Sequence, residues 1–147
     1  MLAYFLILLS LIFVNGLFAM AELAVFSSRP TRLRQMADGG SRGARAALRL
    51  LDEPTRFLST VQIGITLIGV LAGVYSGAQF AEPLGQWLAG LERLAPIVEY
   101  TDTLAYGIVV VFVTYLSLVI GELVPKRWAL TNPEAMAALV ARPMEIV

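Results

Sequence analysis

Five side chains with cation-binding chemistry interrupt stretches that otherwise suit lipid. Asn15 and Glu22 lie in the apolar run 2–26, Gln62 and Thr66 in 57–80, and Gly121-Glu122 closes 104–124. An ionisable or amide group inside a membrane span is costly, which makes each of these positions a functional-site hypothesis. Their donors are all oxygen. Pro125 stands four residues after Gly121 and has no amide hydrogen, so the Gly121 carbonyl loses its helical partner beside the Glu122 carboxylate. A free carbonyl at membrane depth is tolerated where it lines a cavity or finds another ligand. A carboxylate, a freed carbonyl and nearby hydroxyl or amide oxygens suit a hard cation such as Mg²⁺.

The composition excludes much else. The chain has no Cys and no His, so disulfides, thiolate chemistry, soft-metal sites and imidazole acid–base work are absent. No zinc-protease motif and no nucleophile with a base partner is present, so an enzyme is not expected. Plainer readings of the acids stay open. Arg29, Lys126 or Arg127 can reach toward Glu22 and Glu122 from the interface, or a protonated carboxyl can hydrogen-bond one helix to another.

Three elements must position these groups. Each apolar run is long enough to cross roughly 30 Å of hydrocarbon at about 1.5 Å per residue. The connections are too short for a separate soluble core, so residues 1–147 read as one transmembrane domain. Acids and bases balance at 11 each, but unevenly along the chain. Arg29, Arg32, Arg34, Arg42, Arg45, Arg49 and Arg56 follow the first run, whereas only Arg93 follows the second, beside Glu82, Glu92, Glu99 and Asp102. Lys126 and Arg127 follow the third. Basic residues collect on the cytoplasmic side. A multi-pass protein of the cell (inner) membrane is expected, with residues 29–56 and 126–134 cytoplasmic and the N-terminus and 82–103 extracytoplasmic. Ala19-Met20-Ala21 resembles a signal cleavage site, but no base precedes the first run and the run is long for a leader. In this topology Glu22, Gln62, Thr66 and Glu122 share the inner half of the bilayer, and Asn15, two turns before Glu22, faces the same way.

The expected fold is all-α and integral to the membrane: three transmembrane helices, a cytoplasmic juxtamembrane amphipathic helix and the start of a fourth short helix. Ser27-Ser28-Arg29-Pro30 closes the first span, and Gly39-Gly40 breaks the arginine loop. Ala44, Ala47, Leu48 and Leu51 then recur at helical spacing, which places an amphipathic helix at the inner interface. The loop serves as topology signal and anchor to anionic lipids; nucleic acid is not an expected partner. Asp52-Glu53-Pro54 starts the second span. Residues 83–94 suggest a short outer helix with Trp87 as an interfacial anchor. Thr131-Asn132-Pro133-Glu134 has an N-cap, Pro at the first position and an acid in the first turn. The helix after it, 135–147, reads as cut within or just after its length, so a longer parent chain is expected.

The second span carries a polar and small stripe: Ser59, Gln62, Thr66, Gly69, Gly73, Ser76 and Gly77. Glycines four apart let another helix approach closely, and a homodimer is expected on that ground. Gly69, Gly73, Gly16 and Pro125 are the places for helices to slide or kink.

Asn15-Gly16-Leu17-Phe18, Ala21-Glu22-Leu23-Ala24, Ser27 and Arg29 resemble the first helix of the CorC/cyclin-M membrane domain. Phe57-Leu58-Ser59, Gln62-Ile63-Gly64-Ile65-Thr66 and Glu82-Pro83 resemble its second. Gly121-Glu122-Leu123-Val124-Pro125-Lys126, with Ala129-Leu130 and Asn132-Pro133-Glu134, is the most specific part. The resemblance implies a dimeric domain with a cation site between its helices, linked to magnesium export coupled to sodium. It also implies that the chain continues into cytoplasmic CBS domains that bind ATP. Carried over residue by residue, Ser27, the Gly121 carbonyl and Glu122 would ligate Mg²⁺. Glu22 would ligate it or serve the coupling Na⁺. Asn15, Gln62 and Thr66, with Ser59 and Ser28, would line the cavity. The expected function is Mg²⁺ export from the cytoplasm by alternating access; the alternative is a Mg²⁺-sensing membrane scaffold that controls another transporter.

Overall fold

The structure, a computed structural model, describes residues 2–90 and 100–146. It is all-helical, with no strand among the described residues. In chain order the elements are α1 (Leu2–Ser27), α2 (Pro30–Asp38), α3 (Arg42–Asp52), α4 (Pro54–Ala89), α5 (Thr101–Leu118), a π-helical turn (Val119–Leu123), α6 (Val124–Thr131) and α7 (Pro133–Met144). Three helical stretches are long and apolar enough to span a membrane: α1, α4 and the continuous run Thr101–Thr131.

The spans carry little local amphipathic pattern because lipid rewards apolar side chains on every face. Phe13, Ile63, Val74, Val111 and Phe112 are exposed accordingly. The interior divides in two. Leu8 and Ile12 of α1 meet Ala72 of α4 and Val109 and Val113 of α5. Ala21, Ala24 and Val25, at the other end of α1, pack with Leu33, Ala44, Ala47, Phe57 and Ala137. Small residues dominate this second cluster, and α1, α3 and α7 therefore approach closely.

Three expectations change. The arginine loop is not open chain up to Gly39-Gly40: Pro30 occupies the first turn of α2, where a missing amide hydrogen costs nothing. Gly40, at φ +98°, reverses the backbone into α3 in a conformation that glycine alone adopts readily. No separate outer helix begins at Pro83. The second span runs through it as one helix of 36 residues to Ala89, about 54 Å at 1.5 Å per residue. Trp87 is exposed near its end; residues 91–94, with Glu92 and Arg93, and Glu99 lie outside the described residues.

The third change concerns α3. It forms where expected, with the Ser41 hydroxyl accepting the Ala44 amide at 3.2 Å as its cap. Its apolar face packs on α1 and α7, a protein contact that the sequence pattern did not indicate. A Cβ on Gly43 would lie 1.9 Å from the Ala138 carbonyl oxygen, so α3 and α7 touch backbone to backbone. At the start of α7, Asn132 gives no side-chain cap. Glu134, 5% exposed, instead accepts the Arg29 amide at 3.3 Å and faces the Arg32 guanidinium at 3.8 Å. A carboxylate in a helix's first turn also meets the positive end of its dipole. Glu134 thereby ties α7 to the α1–α2 junction.

Candidate functional site

Span one and span three run parallel, so residues seven apart on α1 find partners five apart on the other helix. Asn15 lies against Gly121, and Glu22 against Lys126. The close approach depends on glycine. A Cβ on Gly16 would lie 2.9 Å from Pro125 Cγ, and one on Gly121 would lie 3.2 Å from the Ile12 carbonyl oxygen.

Pro125 breaks the hydrogen-bond ladder at Gly121, and the backbone takes a π turn over Val119–Leu123. The freed Gly121 carbonyl accepts a hydrogen bond from Asn15 Nδ2 at 2.9 Å. A carbonyl can only accept, so the amide nitrogen must face it, which fixes the orientation of the carboxamide. Asn15 Oδ1 is left as a buried acceptor without a hydrogen-bond partner, on a residue only 4% exposed. An unmet buried acceptor costs about 1–3 kcal/mol. Beside it opens a cleft of about 290 Å³ lined by Asn15, Gly69, Gly73, Thr114, Ser117 and Glu122.

The two acids meet one cation. Lys126 Nζ donates to Glu122 Oε1 at 2.8 Å and lies 3.5 Å from Glu22 Oε2. Each of the three side chains is about one-third exposed. The interfacial pairing of both carboxylates is therefore real, and Lys126 supplies it from one turn beyond Glu122; neither Arg29 nor Arg127 pairs with them. Two carboxylates against one ammonium leave the trio with a surplus negative charge. No group of three or more Asp, Glu, Cys or His side chains converges among the described residues.

The other expected site residues scatter. Ser27 is half-buried at the end of α1 and does not line the cleft. Ser28 is buried, but its hydroxyl donates to the Val25 carbonyl at 2.7 Å. Ser59, Gln62 and Thr66 lie exposed on α4, outside the cleft. On the same stripe Gly69 and Gly73 have nothing within 4 Å of a Cβ, whereas Tyr106 covers Gly77. Ser76 is buried and donates to the Gly73 carbonyl at 2.9 Å. Thr114 and Ser117 were not foreseen. Ser117 stands three residues after Thr114 and four before Gly121, a helical spacing that shares one face, and that period was the available signal.

Residues 6–147 match the model of the cyclin M transmembrane N-terminal domain. Among curated proteins, the UPF0053 protein sll0260 of Synechocystis is 49% identical over 137 residues, covering 93% of this chain and 30% of the relative. The polyamine export protein of Escherichia coli K12 is 29% identical over 144 residues, covering 98% of this chain and 31% of that protein. UPF0053 protein YhdT of Bacillus subtilis is 31% identical over 139 residues, covering 92% of this chain and 29% of its own length. The chain thus spans about a third of the relatives it matches.

Proposed function

The chain belongs to the cyclin M transmembrane N-terminal domain family, and on that premise we propose that it is a cation-transport domain that carries Mg²⁺ out of the cytoplasm. The observation that carries this reading is the unmet Asn15 Oδ1, buried at the wall of a cleft that also holds Glu122, Thr114 and Ser117. Every donor there is oxygen, as a hard cation requires. The surplus charge of the Glu22–Lys126–Glu122 trio adds attraction for a cation. Asn15, Glu122 and Ser117 would face the ion. The Gly121 carbonyl, already engaged by Asn15, would join only if that hydrogen bond parts. The π turn and Pro125 supply a place where the third span can change its winding.

A second reading has its own support. The two carboxylates already hold a primary ammonium, that of Lys126. An organic polycation offers the same group, and one relative is named a polyamine export protein. On this reading Lys126 marks the position of one end of the cargo.

A homodimer fits the surface of α4. Ser59, Gln62 and Thr66 are polar and exposed in a span, and Gly69 and Gly73 are open to close approach. A second copy would cover them.

The test is flux from proteoliposomes loaded with Mg²⁺ or with spermidine, comparing the full-length protein with Glu122→Gln. Loss of Mg²⁺ efflux in the variant supports the first reading, and efflux of spermidine alone supports the second. Mg²⁺ binding without flux of either cation would instead make the domain a sensing scaffold.

A further inference from the structure

Beyond the span interior, α3 and α7 build a second charged feature. Arg42, Arg45 and Arg49 stand three and four residues apart on one face of α3. The backbone contact of Gly43 with Ala138 sets α7 alongside, and Arg142, one turn after Ala138, joins the same surface. These four guanidinium groups and Glu145 line a cavity of about 260 Å³. Glu145 is committed to Arg49, which donates to it through both Nε and Nη2, the latter at 2.9 Å. Arg42, Arg45 and Arg142 have no salt-bridge partner among the described residues. Helix packing has therefore gathered four like charges around one carboxylate, that of Glu145, which Arg49 holds by hydrogen bonds and Arg142 attracts from farther off.

We propose that this cavity is a binding site for a phosphate group. Guanidinium forks match the tetrahedral oxygens of phosphate in paired hydrogen bonds, and they keep their charge at any physiological pH. The number and convergence of the forks favour a doubly charged or multiply contacted anion over chloride. The cavity lies at the end of the bundle where α1 leaves the apolar core, since α3 and α7 pack on Ala21, Ala24 and Val25. That is the level of the phosphate layer of a bilayer, so a lipid headgroup reaches it as readily as a phosphorylated solute. The site is independent of which cation the span interior carries.

The experiment uses the whole chain purified in a neutral mild detergent at fixed ionic strength. One arm titrates inorganic phosphate, the other phosphatidylglycerol in mixed micelles with phosphatidylcholine as the uncharged reference, each read by the shift in unfolding temperature. The double variant Arg45→Gln/Arg142→Gln is compared with Arg34→Gln, which removes a charge from α2 outside the cavity. A raised midpoint with either probe is expected, with apparent affinity roughly tenfold lower in the double variant, on the scale of losing charge-assisted contacts, and preserved in Arg34→Gln. Response to phosphatidylglycerol alone makes the ligand a membrane lipid; response to both makes it the phosphate group from either source. No shift with either probe overturns the site. Equal weakening in Arg34→Gln also overturns it, because general surface charge would then explain the binding. If the double variant is unfolded without ligand, Arg142→Lys serves instead: it keeps the charge, loses the fork, and is expected to weaken binding by a smaller factor.

Discussion

Asn15 Nδ2 and the Gly121 carbonyl, 2.9 Å apart, form a side-chain hydrogen bond that joins the first span to the third, and both residues are buried. The bond meets a carbonyl that Pro125 has released from its helix. Asn15→Ala removes the donor and strands that carbonyl in an apolar setting, at a cost of about 1–3 kcal/mol. Asn15→Asp restores the shape but sets a carboxylate oxygen against a carbonyl oxygen. Both variants are expected to lower the unfolding midpoint in detergent, Asp at least as much as Ala. A midpoint unchanged in Asn15→Ala would mean that the π turn stands without this tie.

Two glycine substitutions should part company. In Gly43→Ala the new methyl meets the Ala138 carbonyl oxygen at 1.9 Å, backbone against backbone. The α3–α7 contact must open, with a loss at or above the usual overpacking range of about 1–3 kcal/mol. Gly69→Ala meets nothing within 4 Å and gains up to about 1 kcal/mol of helix propensity. The single chain should tolerate it. Size-exclusion chromatography with light scattering then asks about the partner: a dimer weakened by Gly69→Ala at unchanged helicity places that face in the seam.

Much of this was legible in residue types alone. Three spans, the helices α3 and α7 and the release of the Gly121 carbonyl all follow from apolar run lengths, Gly-Gly and the Pro125 spacing. The destination of the carbonyl was not legible, because pairing Asn15 with Gly121 across 106 residues requires knowing which helices are neighbours. The same gap explains Glu134, read as a first-turn acid but used as a tie to Arg29. Gln62 and Thr66 show the converse limit. Depth along a span can be counted from sequence, but the direction a residue faces around the helix depends on packing. Of the stripe, only Gly69 and Gly73 border the cleft.

The Arg49–Glu145 pair should make the α3–α7 contact sensitive to acid. Its hydrogen bonds to Arg49 hold the Glu145 carboxyl below its ordinary range, and Arg49 is raised in turn by the same bonds. A carboxyl lowered by folding stabilises the folded state above its unfolded pKa, and that contribution fades as pH falls through the lower folded value. The difference in unfolding midpoint between the parent chain and Arg49→Met should therefore hold from pH 7 to about 5 and shrink below about 4, the ordinary glutamate range. Arg49 is exposed and Glu145 partly so, which lets solvent screen the pair, so the effect is small and weakens further in high salt. A difference that stays constant down to pH 3 would show that Arg49 acts through packing of its stem.

Lys126 gives the sharpest test of the span interior, because it sits where a cation would compete. Its ammonium lies 2.8 Å from one carboxylate oxygen and 3.5 Å from the other, so a cargo cation drawn to Glu122 must share or displace it. Lys126→Met keeps the length and the apolar stem while removing the charge. The two acids then face each other without a counter-ion, so the empty protein should be less stable, above all at low ionic strength. Binding of a divalent cation relieves that repulsion and no longer has to outcompete an internal ammonium. Calorimetry is therefore expected to give Mg²⁺ affinity about tenfold or more above that of the parent chain, the ratio that one lost charge-assisted contact of ~1.5–3 kcal/mol supplies. Glu122→Gln in the same background should reverse the gain. Weaker Mg²⁺ binding in Lys126→Met would mean that the lysine orients Glu22 and Glu122 for the ion, not that it stands in for the ion.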